Sequence, residues 1–149
     1  MTESAIDILL VDDNSSDAEL TMYALRKANF GNKLKLVRDG AEALDFLFGE
    51  GIYARADHRS TVPKVVLLDL KLPKIDGTEV LRRIKSDPRT RNIPVVVLTS
   101  SDEERDVGHA YELGANSYIV KPVDFKQLSE NIAQVGFYWL QLNHSPKSR

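Results

Sequence analysis

The stretch "VVLLDLKLPKIDG", residues Val65 to Gly77, decides how this chain folds. Its opening run, rich in β-branched and aliphatic residues, reads as a strand buried on both faces, the kind found inside parallel sheets. Asp69 closes that run, just before a loop marked by Pro73 and Gly77. From Gly77 to Ser86 the pattern turns helical, with Val80, Leu81 and Ile84 on one face. Strand, loop and helix make one β-α unit. An unpaired carboxylate at a buried strand end costs several kcal/mol, so Asp69 needs partners from elsewhere in the chain.

The same unit recurs on either side. "IDILLV" (Ile6–Val11) reads as a strand, followed by a helix from Ser16 to Ala28 that a capping box, Ser16-x-x-Glu19, would open. "LKLV" (Leu34–Val37) precedes a helix capped by Asp39-Gly-Ala-Glu42 and carrying Leu44, Leu47 and Phe48. "VVVL" (Val95–Leu98) precedes a second capping box, Ser101-x-x-Glu104, and a helix to about Leu113. "SYIV" (Ser117–Val120) precedes a last helix from Phe125. Five such pairs specify an α/β doubly wound, five-stranded parallel sheet with helices on both faces, and ligands bind such sheets beyond the strands' carboxyl ends. Residues 49 to 63 form the one long connection, a length more often tied to function than a median loop.

Composition narrows the function classes. The 149 residues suit one domain, expected to span 1–142 with a tail at 143–149 and no output domain. A net charge of −2 argues against non-specific nucleic-acid binding. There is no cysteine, which removes disulfides, thiolate metal sites and cysteine nucleophiles, and fits a cytoplasmic protein. No apolar run approaches the roughly 20 residues that span a bilayer.

The strand ends carry the chemistry. The first ends in Asp12-Asp13, the third in Asp69, the fourth in Thr99-Ser100 and the fifth in Lys121-Pro122; Arg38-Asp39, ending the second, is assigned to helix capping. In the 2-1-3-4-5 order of flavodoxin-like sheets the first and third strands are neighbours, so three carboxylates converge. Such a cluster repels itself unless a cation joins it, and all-oxygen donors suit Mg2+ or Mn2+ rather than zinc. Three aspartates, one divalent cation and Lys121 sum to zero charge. A phosphoryl dianion on Asp69 would then be held by the cation, the Lys121 ammonium and the Thr99 hydroxyl, with Asp69 as nucleophile. Taken singly, each of these residues is an ordinary turn former, strand residue or solvated lysine; the joint pattern is what points to chemistry. Rival sites fit poorly. The turn "DDNSSD" lacks the phosphate cradle of a flavodoxin, Lys71 stands where a dehalogenase-type phosphatase has its second Asp, and no Gly-x-Gly-x-x-Gly follows the first strand.

These residues resemble the receiver domains of two-component response regulators, the CheY-like family, over residues 5 to about 135. The resemblance implies that Asp69 accepts a phosphoryl group from a sensor histidine kinase phosphohistidine. It further implies that Asp12, Asp13, Asp69 and the Lys71 backbone carbonyl hold Mg2+, that Thr99 and Lys121 bind phosphoryl oxygens, and that Tyr118 is a switch aromatic. It also implies a cis peptide at Pro122. "DFLFGEGIYA" (45–54) and "GFYWLQLNHSP" (136–146) resemble stand-alone receivers paired with phytochrome-type kinases. Such receivers imply a homodimer, here placed at Phe137, Tyr138, Trp139 and Leu140. Leu128, Ile132, Val135, Trp139 and Leu142 form one apolar stripe at helical spacing, with Phe137, Tyr138 and Leu140 off it. The kinase is expected to touch Asn14, Ser15, Ala18 and Val123, which surround the site. Signal would leave by contact with a downstream protein or by onward phosphotransfer. A binding module that has lost phosphorylation is the competing reading, and a phosphatase ranks third for lack of an acid-base residue beside Asp69.

Overall fold

All five strands form and all run parallel: β1 (Ile8–Val11), β2 (Leu34–Val37), β3 (Val65–Leu68), β4 (Val95–Thr99) and β5 (Ser117–Val120). The computed structural model describes residues 6–30, 33–54, 62–122, 124–144 and 146. The strand order is β2-β1-β3-β4-β5. Val11 pairs with both Val37 and Leu68, Leu68 with Val97, and Thr99 with Val120, so the carboxyl ends line one edge of the sheet.

Alternation along the strands builds two cores. Leu9, Val11, Val66, Leu68, Val95 and Val97 face one layer, with α2 (Gly40–Phe48), α3 (Gly77–Ser86) and α4 (Glu104–Glu112). Ile8, Leu10, Val65, Leu67, Val96 and Leu98 face the other, covered by α1 (Ser15–Lys27) and α5 (Phe125–Phe137). Each fully buried Leu, Ile or Val stabilises the fold by about 1.5–3 kcal/mol, which is why strands apolar on both faces need helices on both.

The helix starts are set by side chains that the expected capping boxes only partly identify. Asp39 caps α2 as expected, accepting from Glu42 N at 2.7 Å. Helix α1 begins at Ser15 and is capped by Asn14, whose carboxamide accepts from Asp17 N at 2.9 Å, leaving Ser16 inside the first turn. Helix α4 begins at Glu104 without a side-chain cap: its N-cap is Glu103, two residues past Ser101, whose hydroxyl accepts from Glu103 N at 3.4 Å and donates to Asp106. The long connection contributes a 3₁₀ turn, Gly51–Tyr53, whose tyrosine packs edge-on against Phe46; residues 55–61 lie outside the described set.

Two expectations for the last β-α unit are corrected. No described peptide bond is cis, so Lys121-Pro122 takes the trans form that X–Pro bonds favour by about 0.5–1 kcal/mol. The apolar stripe also changes phase. After Phe137 the helix continues as a π turn, Tyr138–Leu142, closed by Asn143 N on the Tyr138 carbonyl at 2.7 Å. Wider winding turns each residue through a smaller angle, so Trp139 and Leu140 pack on the core while Leu142 is 55% exposed.

Candidate functional site

Each strand delivers one group to the carboxyl edge. Asp12 follows β1, its N–H bonded to the Val37 carbonyl at 3.1 Å and its Oδ1 accepting from Asn14 N at 3.0 Å. Asp69 follows β3, its N–H on the Val11 carbonyl at 3.0 Å. Lys121 follows β5, its N–H on the Thr99 carbonyl at 2.7 Å. Gly77 closes the loop beyond Asp69, donating to the Leu70 carbonyl at 2.8 Å. A Cβ at residue 77 would sit 2.3 Å from the Asp69 carbonyl oxygen, so the loop can fold back this tightly only with glycine.

The side chains meet around the Lys121 ammonium. Its Nζ donates to Asp12 Oδ2 at 2.9 Å, Asp69 Oδ2 at 3.1 Å and Asp17 Oδ2 at 3.1 Å. Burial opposes the charge on this lysine, but the hydrogen bond to Asp12 and the charges of Asp69 and Asp12 outweigh it and raise its pKa. Burial pushes the Asp12 carboxyl up, against the pull of Lys121 and Asn14, since the aspartate is only 1% exposed. The two shifts have different origins: carboxylates around the ammonium hold the proton on Lys121, whereas burial above all lifts Asp12 against the pull of that same lysine.

The other expected residues fall into place around this centre. The Thr99 hydroxyl is buried and has no hydrogen-bond partner among the described residues. Tyr118 donates to the Ser101 carbonyl at 2.9 Å, tying β5 to the loop after β4, and burial raises its phenol's pKa. Lys71 N donates to Asp69 Oδ1 at 3.3 Å. Asp13, Asn14 and Ser15 are exposed at the rim. Ala18 is not: it is 1% exposed, because the Asn14 cap sets a helix phase in which Ala18, Thr21 and Leu25 face inward. It cannot be a surface contact, and Leu20 and Tyr23 are the exposed apolar residues of α1 instead. Val123 lies outside the described residues.

Two residues escaped the sequence reading. Asp17, in the first turn of α1, is the third carboxylate on Lys121. Arg38, read as part of a helix cap, sends its guanidinium to Ser15 Oγ at 2.7 Å and the Asp13 carbonyl at 3.4 Å, bracing the acidic loop. The adjacency of β2 and β1 was the signal that could have found Arg38. Asp17 needed the helix phase.

Among the described residues no three acidic or histidine side chains form a ready-made metal cage, since the ammonium stands between Asp12 and Asp69. The donor chemistry nevertheless fits a hard divalent cation. The donors at hand are all oxygens, and one of them, the Asp12 carboxylate, is buried beside a single ammonium.

Known proteins resemble this chain in sequence and in fold. The sequence profile described as the response regulator receiver domain matches residues 8–133. The probable methanogenesis regulatory protein FilR2 of Methanothrix harundinacea is 43% identical over 145 residues, covering 97% of this chain and 90% of that protein. The response regulator Rcp1 of Synechocystis sp. is 41% identical over 134 residues, 90% of this chain and 88% of its own length. The Mn(2+)-bound crystal structure of Rcp1 superposes with a TM-score of 0.85 at 39% identity, covering 95% of this chain and 99% of that one. The phosphorylated cyanobacterial phytochrome response regulator RcpA does so with a TM-score of 0.87 at 42% identity, covering 96% and 99%.

Proposed function

The chain belongs to the response regulator receiver domain family, whose function is phosphoryl acceptance, and from that premise we propose that Asp69 is the phosphoacceptor. One observation carries the assignment: Asp69 shares a buried ammonium with Asp12, on the sheet edge where the buried Thr99 hydroxyl has no partner among the described residues. One Asp69 oxygen attacks phosphorus, the P–N bond to a donor histidine breaks, and the electron pair leaves with the imidazole, which takes up a proton. Lys121 and Thr99 donate to the phosphoryl oxygens, stabilising charge as it moves. A divalent cation, Mg2+ or Mn2+, supplies further neutralisation when bound; Asp12, Asp13, Asp69 and the Lys71 carbonyl would hold it. Once Thr99 turns toward the phosphoryl group, Tyr118 can exchange its bond to Ser101 and move the start of α4.

The donor in this reading is a sensor histidine kinase of the phytochrome type, by likeness to the phytochrome response regulator RcpA, and the setting is the cytoplasm. Asn14 and Ser15, with the exposed Leu20 and Tyr23, present the surface a donor helix would cover. The protein passes signal on by contact or phosphotransfer. It assembles as a homodimer through its C-terminal aromatics, a reading supported by the exposure of Phe137, Tyr138 and Leu142 beside a groove lined by Ile119, Val135 and Trp139.

Incubation with acetyl phosphate and Mg2+, followed by intact-mass measurement, tests the core of this proposal. One phosphoryl adduct is expected, absent in Asp69→Asn and absent in excess chelator. An adduct of full yield in either control would falsify it.

A further inference from the structure

Lys121 has three N–H donors, and each is already used. Two go to carboxylates of the proposed phosphoryl site, Asp12 and Asp69. The third goes to Asp17, which lies on α1 rather than at a strand end, with a side chain 41% exposed. An ammonium has no fourth donor, so contact with a phosphoryl oxygen requires an exchange. Phosphorylation of Asp69 removes that carboxylate's charge and sets a dianion in the same space. Asp12 is buried and also receives the Asn14 N–H, so its position is fixed by backbone as well as by lysine. Asp17 has no such second tie: the Asn14 cap holds its backbone N–H, and Lys121 is the one partner of its carboxylate among the described residues.

The geometry points to Asp17 as a positioning residue for Lys121, a carboxylate that competes with the phosphoryl group for the ammonium and couples the first turn of α1 to the state of Asp69. This rests on Asp69 being the acceptor. Before phosphorylation, Lys121 ties α1 to the strand ends. Afterwards the phosphoryl oxygens draw the ammonium from its most exposed and least constrained partner, and the first turn of α1 loses that tie. The effect lies on α1, apart from the path through Thr99, Tyr118 and α4.

Hydrogen exchange on full-length protein reads both paths. Wild type and Asp17→Asn are compared in Mg2+ alone and in Mg2+ with excess acetyl phosphate, with phosphorylation monitored by intact mass. In wild type, amides of residues 15–21 should exchange faster once Asp69 is phosphorylated. In Asp17→Asn they should exchange faster from the start, with no further change, while the response around 104–112 persists. The phosphoryl group should also last about two- to fivefold longer in Asp17→Asn, the range expected for losing one partly exposed charged competitor. In a Lys121→Met background, adding Asp17→Asn should have no effect on exchange in Mg2+ alone, whereas a merely structural role of Asp17 would leave its effect in place. Unchanged or slower exchange at 15–21 in phosphorylated wild type overturns the inference, as does an Asp17→Asn protein identical to wild type in Mg2+ alone. If Asp69→Asn is phosphorylated like wild type, the acceptor assignment itself fails and the competition with it; normal phosphorylation with silent α1 amides refutes Asp17 alone.

Discussion

Thr99 and Lys85 show how single polar groups are left in costly positions. A buried hydroxyl without a partner costs roughly 1–3 kcal/mol, and among the described residues Thr99, at the end of β4, has none for its hydroxyl. Thr99→Val keeps the shape and removes the hydroxyl. It should therefore raise the melting temperature of the unphosphorylated protein, while amide exchange around α4 responds less to phosphorylation. A lower melting temperature would show that the hydroxyl is satisfied in solution. Lys85, at the end of α3, is half-buried with its ammonium on the Arg91 and Ile93 carbonyls at 3.1 and 2.7 Å. Burial lowers its pKa to about 8. The unfolded chain keeps that proton up to the ordinary lysine range, so above pH 8 the unfolded state binds more protons and stability rises with pH. Urea melts should show wild type gaining on Lys85→Met as pH passes through that window. Parallel pH profiles would rule the effect out.

The segment just after α1 makes one close approach to α5. A Cβ at Gly136 would lie 2.4 Å from the Phe30 ring, so glycine there lets the ring sit against α5. Gly136→Ala should destabilise the fold by about 1–3 kcal/mol, the usual cost of overpacking, despite alanine's better helix propensity. Adding Phe30→Leu, which removes the ring edge, should recover much of that loss in thermal melts. If Gly136→Ala proves neutral, the Phe30 ring has room to move away from α5. The π turn that follows matters equally, since it decides which residues of the C-terminal segment face the core and which remain outside.

For the molecule as a whole, the exposed residues Phe137 and Tyr138 set the assembly prediction. Sedimentation should show a dimer for the full chain and a folded monomer for Phe137→Glu with Tyr138→Glu. A wild-type monomer at micromolar concentration, phosphorylated or not, would refute the dimer. The order of elements was legible in the chain because strands apolar on both faces and helices apolar on one leave few ways to bury both. Asp12, Asp69, Thr99 and Lys121 were legible for a related reason: each ends a strand, and parallel strands bring their ends to one edge. Arg38 was open only through the adjacency of β2 and β1, and Asp17 was not legible, because a side chain reaching from a helix turn depends on helix phase. Ala18 and Leu142 turned out on the opposite sides from those expected for the same reason, since the Asn14 cap and the π turn each shift the helical phase. Local pattern determined which residues lie at the sheet's carboxyl edge; only the packed structure decided which carboxylates reach the one ammonium between them, since three-dimensional distance, not spacing along the chain, governs an ion pair.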